Sequence, residues 1–338
     1  MGVSSSVNDM LVFCPAVLNC YDQEKGQDPP QSFLGVSTVS PLKNIASGIW
    51  DSWWTRPCED GFENESAYAL GWFRTTMPTS ALGSMSYNSI HRLKDTIGKE
   101  SEARTLYGNH GVMNGAVSTV YVLPASHSAV VALSNAADAG DAAETTSQIL
   151  LQALFDLKPQ MDLLPSLLKS RRTCLQQHDA MAREWESHRD VTKYHASSDD
   201  YVGSYLGLGA LHIDIFKSDK STSGLAVVFA HQEASRCELE SFNVDALSFL
   251  PTDRDERLRR GMFDWDFWTV GVFSFVREDT VSRKGPVVGL WWKWDEFDDA
   301  GLWVKVEEGM SEAQVNQVIE RHGRFLREPL ENAWKGKF

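Results

Sequence analysis

The stretch Tyr107-Gly108-Asn109-His110-Gly111-Val112-Met113-Asn114 holds the side chains best suited to chemistry, just ahead of a β-rich run. An imidazole such as that of His110 exchanges a proton near neutral pH, and Tyr107 and Asn109 add a hydroxyl and an amide. These three are the candidate catalytic residues. Alternate side chains of a strand face opposite ways, so Asn109 and His110 share a cleft only where a bulge or a one-residue slip intervenes. His110 therefore reads either as a structural residue or, if turned inward, as an acid or base. Gly111 and Gly115 permit close backbone approach, and Asn114 can bond to a neighbouring loop.

A covalent mechanism needs a serine beside a base. Ser40-Pro41-Leu42-Lys43 and Ser166-Leu167-Leu168-Lys169 have Ser-x-x-Lys spacing, which on a helix sets the amine one turn from the hydroxyl. About one such match is expected by chance in a chain of this composition, so two carry little weight. Pro41 allows a helix to begin at Ser40, whereas Ser166 sits in a charged segment with no sign of an oxyanion hole.

Tryptophans form the other clusters. Trp50, Trp53 and Trp54 lie in one run; Trp265 and Trp268 in a second; Trp291, Trp292 and Trp294 in a third. The candidate ligand-binding residues are Trp53, Trp54, Trp72, Asn114, Trp265, Trp268, Trp292 and Trp294. The second and third clusters can line an apolar pocket or fill a core, and the first can be a lid or an anchor. Asp264, Asp266 and Asp295 are general acids if buried, or carboxylates on the outer face of a strand. His212 and His231, in later strands, carry the same two readings. No His/Asp/Glu set has ligand spacing, so neither a metal nor another cofactor is expected.

The 338 residues carry a net charge of −14, without the clustered Lys and Arg that phosphate contacts need, so nucleic acid is not an expected partner. Five cysteines, scattered and odd in number, argue against a disulfide framework and fit a reducing, cytoplasmic setting. The N-terminal run has neither a basic region nor a long apolar stretch, so no secretory signal and no membrane span is expected, and the sequon at Asn64 goes unused. Met1-Gly2 with Ser6 loosely fits a lipidation pattern but serves better as the start of a helix.

The elements that must position these residues follow from periodicity. Serines and Asp9 cap a helix that Pro15 interrupts; a Gly/Pro/Ser-rich loop follows. Strands are expected around Tyr68–Trp72, through GAVSTVYVLP and through SAVVALSNA, the last two joined by a hairpin at Pro124–His127. A helix over Ala142–Leu157 sets Ile149, Leu150, Ala153 and Leu154 on one apolar face. Seven or eight short strands after Tyr201 imply an antiparallel barrel or sandwich. The domains are thus 1–160 (sheet and helices), 161–197 (helical connector), 198–308 (barrel) and 309–338 (helical tail).

The order of helix, long loop, YALGWF strand, YGNHGVMNGAVSTVYV strand, SAVVALSNA strand and closing helix resembles the C-terminal half of the class C β-lactamase, penicillin-binding-protein and esterase family, notably its fungal members. The resemblance covers roughly residues 2–160, and the barrel is similar to a lipocalin-like module that follows this domain in some relatives. It implies an α+β fold: a truncated β-lactamase-like antiparallel sheet with helices, plus a small antiparallel lipocalin-like β-barrel. The family builds its site from Ser-x-x-Lys, Tyr-x-Asn and a Lys-Thr-Gly or His-x-Gly strand motif; the third falls here on Asn109-His110-Gly111, with Asn109 in the place of the Lys or His. The family's Ser-x-x-Lys lies upstream of the helix that this chain's first helix resembles, so the resemblance implies that the nucleophile's segment is absent. Tyr87-Asn88 has the wrong spacing for the second motif.

Loss of the N-terminal half would uncover one sheet face, to be shielded by another subunit, giving a homo-oligomer, or by the barrel and connector. Three functions then compete. The first is a repurposed protein that binds a small, mostly apolar metabolite and promotes a non-covalent biosynthetic step, such as cyclisation, isomerisation or dehydration, in fungal secondary metabolism. The second is a serine hydrolase or acyltransferase. The third is a non-catalytic scaffold or pseudoenzyme.

Overall fold

The structure, a computed structural model, describes residues 5–30, 39–51, 54–55, 67–83, 86, 96–113, 115–136, 140–193, 197–207, 211–251, 253–260, 267–279, 284–294, 300–306 and four positions beyond. Trp53, Asn114, Trp265, Asn64, Asp264, Asp266, Asp295, the side chain of Trp54 and nearly all of the tail lie outside the described residues. The chain divides into two compact units, Met1–Gln176 and Gln177–Phe338.

In the first unit Ser6 caps helix α1 (Val7–Glu24): its hydroxyl accepts from the Asp9 backbone N–H at 3.2 Å, and the Asp9 carboxylate accepts from the Ser6 N–H at 3.0 Å. Pro15 lies inside α1 and does not end it, contrary to the sequence reading. The hydrogen bond lost there is offset by burial of Cys14, Val17, Leu18 and Cys20 along one side.

Six strands follow in chain order as one antiparallel sheet: β1 (Trp54–Thr55), β2 (Ala67–Ala69), β3 (Trp72–Met77), β4 (Arg104–Met113), β5 (Ala116–Leu123) and β6 (Ser128–Ser134). The β5–β6 connection is the expected hairpin at Pro124–His127, and the imidazole Nδ1 of His127 lies 2.8 Å from Asp22 of α1. Helix α1 and Trp50 pack on one face, against Tyr107, Val120, Val122 and Val131. Helix α2 (Ala142–Phe155) packs on the other, where Leu151 meets Leu106, Tyr121, Leu123 and Val130. Among the described residues the sheet thus has apolar cover on both faces from its own unit.

Helix α2 departs from expectation in orientation. Its buried side carries Glu144, Thr145, Ser147 and Gln152 beside Ala143 and Leu151, while Ile149 (48% exposed), Leu150 (43%) and Leu154 (52%) face outward. Glu144 is turned in toward polar partners on β4 and β5, while Thr145 donates to Asp141 O at 3.0 Å and Gln152 accepts the Met161 N–H at 2.6 Å.

The connector is helix α3 (Leu164–His188), and the division between units falls within it. In the second unit its Met181 and Trp185 pack on Phe242, Ala246, Leu250 and Val272, and the Trp185 indole donates to Ser248 Oγ at 2.9 Å. Eight antiparallel strands then close a barrel: β7 (Gly203–Gly207), β8 (Leu211–Lys217), β9 (Leu225–Phe229), β10 (Gln232–Asn243), β11 (Ala246–Ser248), β12 (Val272–Asp279), β13 (Lys284–Trp292) and β14 (Gly301–Val306), with β14 paired to β7. This is the strand number and up-and-down order of a lipocalin-type barrel. The run CELESFNVDALSFLP makes two strands, because the chain turns at Asp245 with φ 49°.

The barrel axis is filled. Tyr201, Tyr205, Phe249, Phe273, Phe275, Trp292 and Trp303 interlock with Ile213, Leu225, Leu239 and Leu290, and Trp294 packs against them. The Trp292 indole donates to Val270 O at 2.7 Å, and its ring lies 5.3 Å from that of Trp303.

Candidate functional site

The β4–β5 ladder is regular, pairing Tyr107 with Val122, Asn109 with Val120 and His110 with Thr119. No slip turns His110 toward Asn109, so the three candidate catalytic residues divide between the two faces of the sheet.

Tyr107 and Asn109 belong to the α1 face, and Trp72 joins them from β3. What brings the aromatic residues together is Trp50, which the sequence reading had placed only in a lid or anchor. Glu24 at the end of α1 accepts the backbone N–H of Ile45 at 2.6 Å and of Ser47 at 3.0 Å, and this holds the π-helical turn Ile45–Ile49 that presents Trp50. Trp50 stacks on Tyr107 at 4.0 Å and 8° and meets Trp72 edge-on at 5.7 Å. It is 3% exposed, and its indole N–H has no hydrogen-bond partner among the described residues. Burial raises the Tyr107 pKa above its usual value, so the phenol stays protonated and able to donate. Asn109 is exposed; its amide donates to Gly71 O at 2.6 Å and its oxygen accepts the His110 N–H at 2.8 Å. The side-chain amide thus fixes the β2–β3 turn against β4. The described part of this face is a packed cluster of three aromatic rings, Trp50 buried and Trp72 and Tyr107 partly exposed, edged by one amide.

The α2 face holds a different assembly. His110 Nδ1 lies 3.1 Å from Glu144 Oε2 and 3.2 Å from Thr119 Oγ1. The Tyr121 hydroxyl donates to the Glu144 carboxyl at 2.7 Å, and the Gln148 amide donates to it at 2.5 Å. Asp141 caps α2 through the Glu144 N–H at 2.9 Å and accepts from Ser86 at 2.8 Å. The side chains of His110 and Glu144 are 2% and 1% exposed. Burial drives the His110 pKa down to about 4. Burial likewise pushes Glu144 up to about 7, against hydrogen bonds from Gln148 and Tyr121 that favour its anion. Both shifts disfavour charge, so between these values the pair is a neutral hydrogen bond between a carboxylic acid and an imidazole, not an ion pair. With Phe73 stacked at 5.2 Å, the ring of His110 is enclosed, which favours the structural reading.

The remaining candidates scatter. Ser40 is buried; its hydroxyl donates to Ala16 O at 2.7 Å and accepts the Leu42 N–H at 3.0 Å, no helix starts there, and Lys43 is exposed. Its proton is thus held by a backbone carbonyl and not by a base. Ser166 and Lys169 are on α3. In the second unit Trp268 stacks on Phe242 at 5.3 Å and on His188 at 4.8 Å, and Trp292 and Trp294 belong to the barrel core.

Fold and site together define a two-unit α+β protein with an aromatic cluster on a sheet and a side-chain-filled barrel. Comparison with family models, with curated proteins and with solved structures finds no match to this chain.

Proposed function

We propose that this chain is a repurposed β-lactamase-like protein that binds a small, mostly apolar metabolite on Trp72 and Tyr107, the partly exposed rings that the buried Trp50 backs, and promotes a non-covalent step on it. The observation that carries the reading is the gathering of these rings beside Asn109 on one sheet face, while the Ser40 hydroxyl is bonded to Ala16 O and Lys43 points to solvent. The exposed parts of the Trp72 and Tyr107 rings offer an apolar skeleton contact area, and Trp50 behind them holds both rings in place. The protonated Tyr107 phenol supplies a hydrogen bond. Such a surface orients and desolvates, which is what a cyclisation, isomerisation or dehydration asks of a protein. The setting we assign is the cytoplasm and secondary metabolism of the fungal type, on the cysteine pattern and the motif resemblance.

The test is intact-protein mass after exposure to a fluorophosphonate, together with titration of the dye 1-anilinonaphthalene-8-sulfonate. The expected result is no adduct, and saturable dye binding that Trp72→Ala weakens about tenfold, some 1.4 kcal/mol. An adduct that disappears in Ser40→Ala would replace this reading with a serine acyl-transfer enzyme.

A further inference from the structure

The outer wall of the barrel gathers three side chains that are not adjacent in sequence. His212 and Asp214 are two residues apart on β8, so both project outward, opposite to the core residues Ile213 and Ile215. The β9–β10 hairpin turns on Ala230 and His231, at φ 50° and 54°, and folds His231 back onto β8. His231 Nδ1 then lies 2.6 Å from Asp214 Oδ2, and the two imidazole rings are 4.4 Å apart. One donor atom from each of His212, Asp214 and His231 lies within 4.8 Å of the others.

Two further features suit this arrangement to a ligand. Nδ1 of His212 is buried and has no hydrogen-bond partner among the described residues. The other Asp214 oxygen accepts from Ser204 of β7 at 2.5 Å, which fixes the carboxylate with Oδ2 toward the imidazoles. The hairpin also places two non-glycine residues in the left-handed conformation that a two-residue loop normally reserves for Asn-Gly. The turn that delivers His231 is therefore not the one local propensity would choose.

We propose that His212, Asp214 and His231 bind a divalent transition-metal ion of the zinc class. Two imidazoles with one carboxylate match the ligand preference of zinc and its neighbours, whereas calcium and magnesium favour all-oxygen shells. Three protein ligands leave the rest of the coordination sphere to water or to an incoming small molecule, on the side where the His231 side chain is 62% exposed. Ser204 acts as a positioning residue by orienting the carboxylate. The ion would clip the β9–β10 turn to β8, independently of the aromatic cluster on the sheet.

The experiment uses the untagged full-length protein, stripped with a chelator and titrated with zinc chloride by calorimetry and with cobalt chloride by visible absorption. One ion per chain is expected, with a cobalt spectrum of nitrogen and oxygen ligation that zinc abolishes. His212→Ala and His231→Ala should each weaken binding by at least about a hundredfold, and Ser204→Ala by about tenfold. Asp214→Asn, which keeps the side-chain shape, should remove the rise in thermal midpoint that zinc gives the wild type. Absence of stoichiometric binding in the wild type overturns the proposal. So does zinc binding that survives in the His212→Ala/His231→Ala double variant, or a cobalt spectrum dominated by thiolate.

Discussion

At the scale of single residues, His110 and Glu144 make a pair whose titrations oppose each other. His110 binds its proton at about 4 in the folded chain and near 6.5 once exposed, so between these values the unfolded state holds the extra proton and stability rises with pH. Glu144 titrates at about 7 when folded and near 4.5 when exposed, so here the folded state holds the extra proton and stability falls as pH rises from 4.5 to 7. Each slope alone integrates to about 3 kcal/mol, and over the shared window they cancel. Glu144→Gln should leave the His110 slope unopposed: relative to wild type, the variant gains stability from pH 4.5 to 6.5 in urea denaturation. His110→Gln should do the reverse. Variant and wild-type profiles that run parallel would show that the pair is not neutral as described. Sequence reasoning singled out His110 but not Glu144. Strand parity did separate His110 from Asn109, because it depends only on the backbone; Glu144, 34 positions further on, arrives through tertiary packing that no local rule encodes.

At the scale of elements, the capped start of α1 and the β5–β6 hairpin were legible because Ser6, Asp9 and Pro124 act through neighbours a few residues away. Helix α2 was legible as a helix but not in its orientation. Periodicity marked Ile149, Leu150, Ala153 and Leu154 as the inner side, on the premise that apolar residues seek the core. Thr119 and Tyr121 of β5 and His110 of β4 overrule that premise: left facing an apolar helix, their polar atoms would lose their partners, at about 1–3 kcal/mol each. Glu144, Ser147 and Gln148, three and four residues apart, form the polar stripe that signals this in hindsight. It follows that Ile149→Lys and Leu150→Lys should each change stability by about 0.5 kcal/mol or less, whereas Leu151→Ala, at 0% exposure, should cost about 2–5 kcal/mol. Chemical denaturation of the three variants separates the two orientations, since the periodic reading puts Ile149 and Leu150 on the inner face and leaves Leu151 off it.

At the scale of the whole molecule, the barrel was read correctly from alternation and turn spacing, while its content stayed open, because alternation says which tryptophans face inward and not whether they leave room. The structure fills the axis with rings in mutual contact: Trp303 is 0% exposed, and Trp294 and Trp292 lie 5.4 and 5.3 Å from it. Gly207 and Gly289 admit this packing, since a Cβ at Gly207 would come within 2.8 Å of the Trp303 ring and one at Gly289 within 2.7 Å of the Trp303 carbonyl oxygen. A ring so enclosed contributes to stability in proportion to the void its loss leaves, so Trp303→Ala should cost about 3–5 kcal/mol. The sheet unit has separate buried clusters, centred on Met77, Leu106 and Leu151 on one side and on Val17, Leu18 and Trp50 on the other. Hydrogen exchange followed by mass spectrometry should therefore show Trp303→Ala raising amide exchange across β7–β14 while β4, β5 and β6 keep wild-type protection. Equal loss of protection in both sets of strands would mean that the two units unfold as one, and that the separate clusters do not confer separate stability.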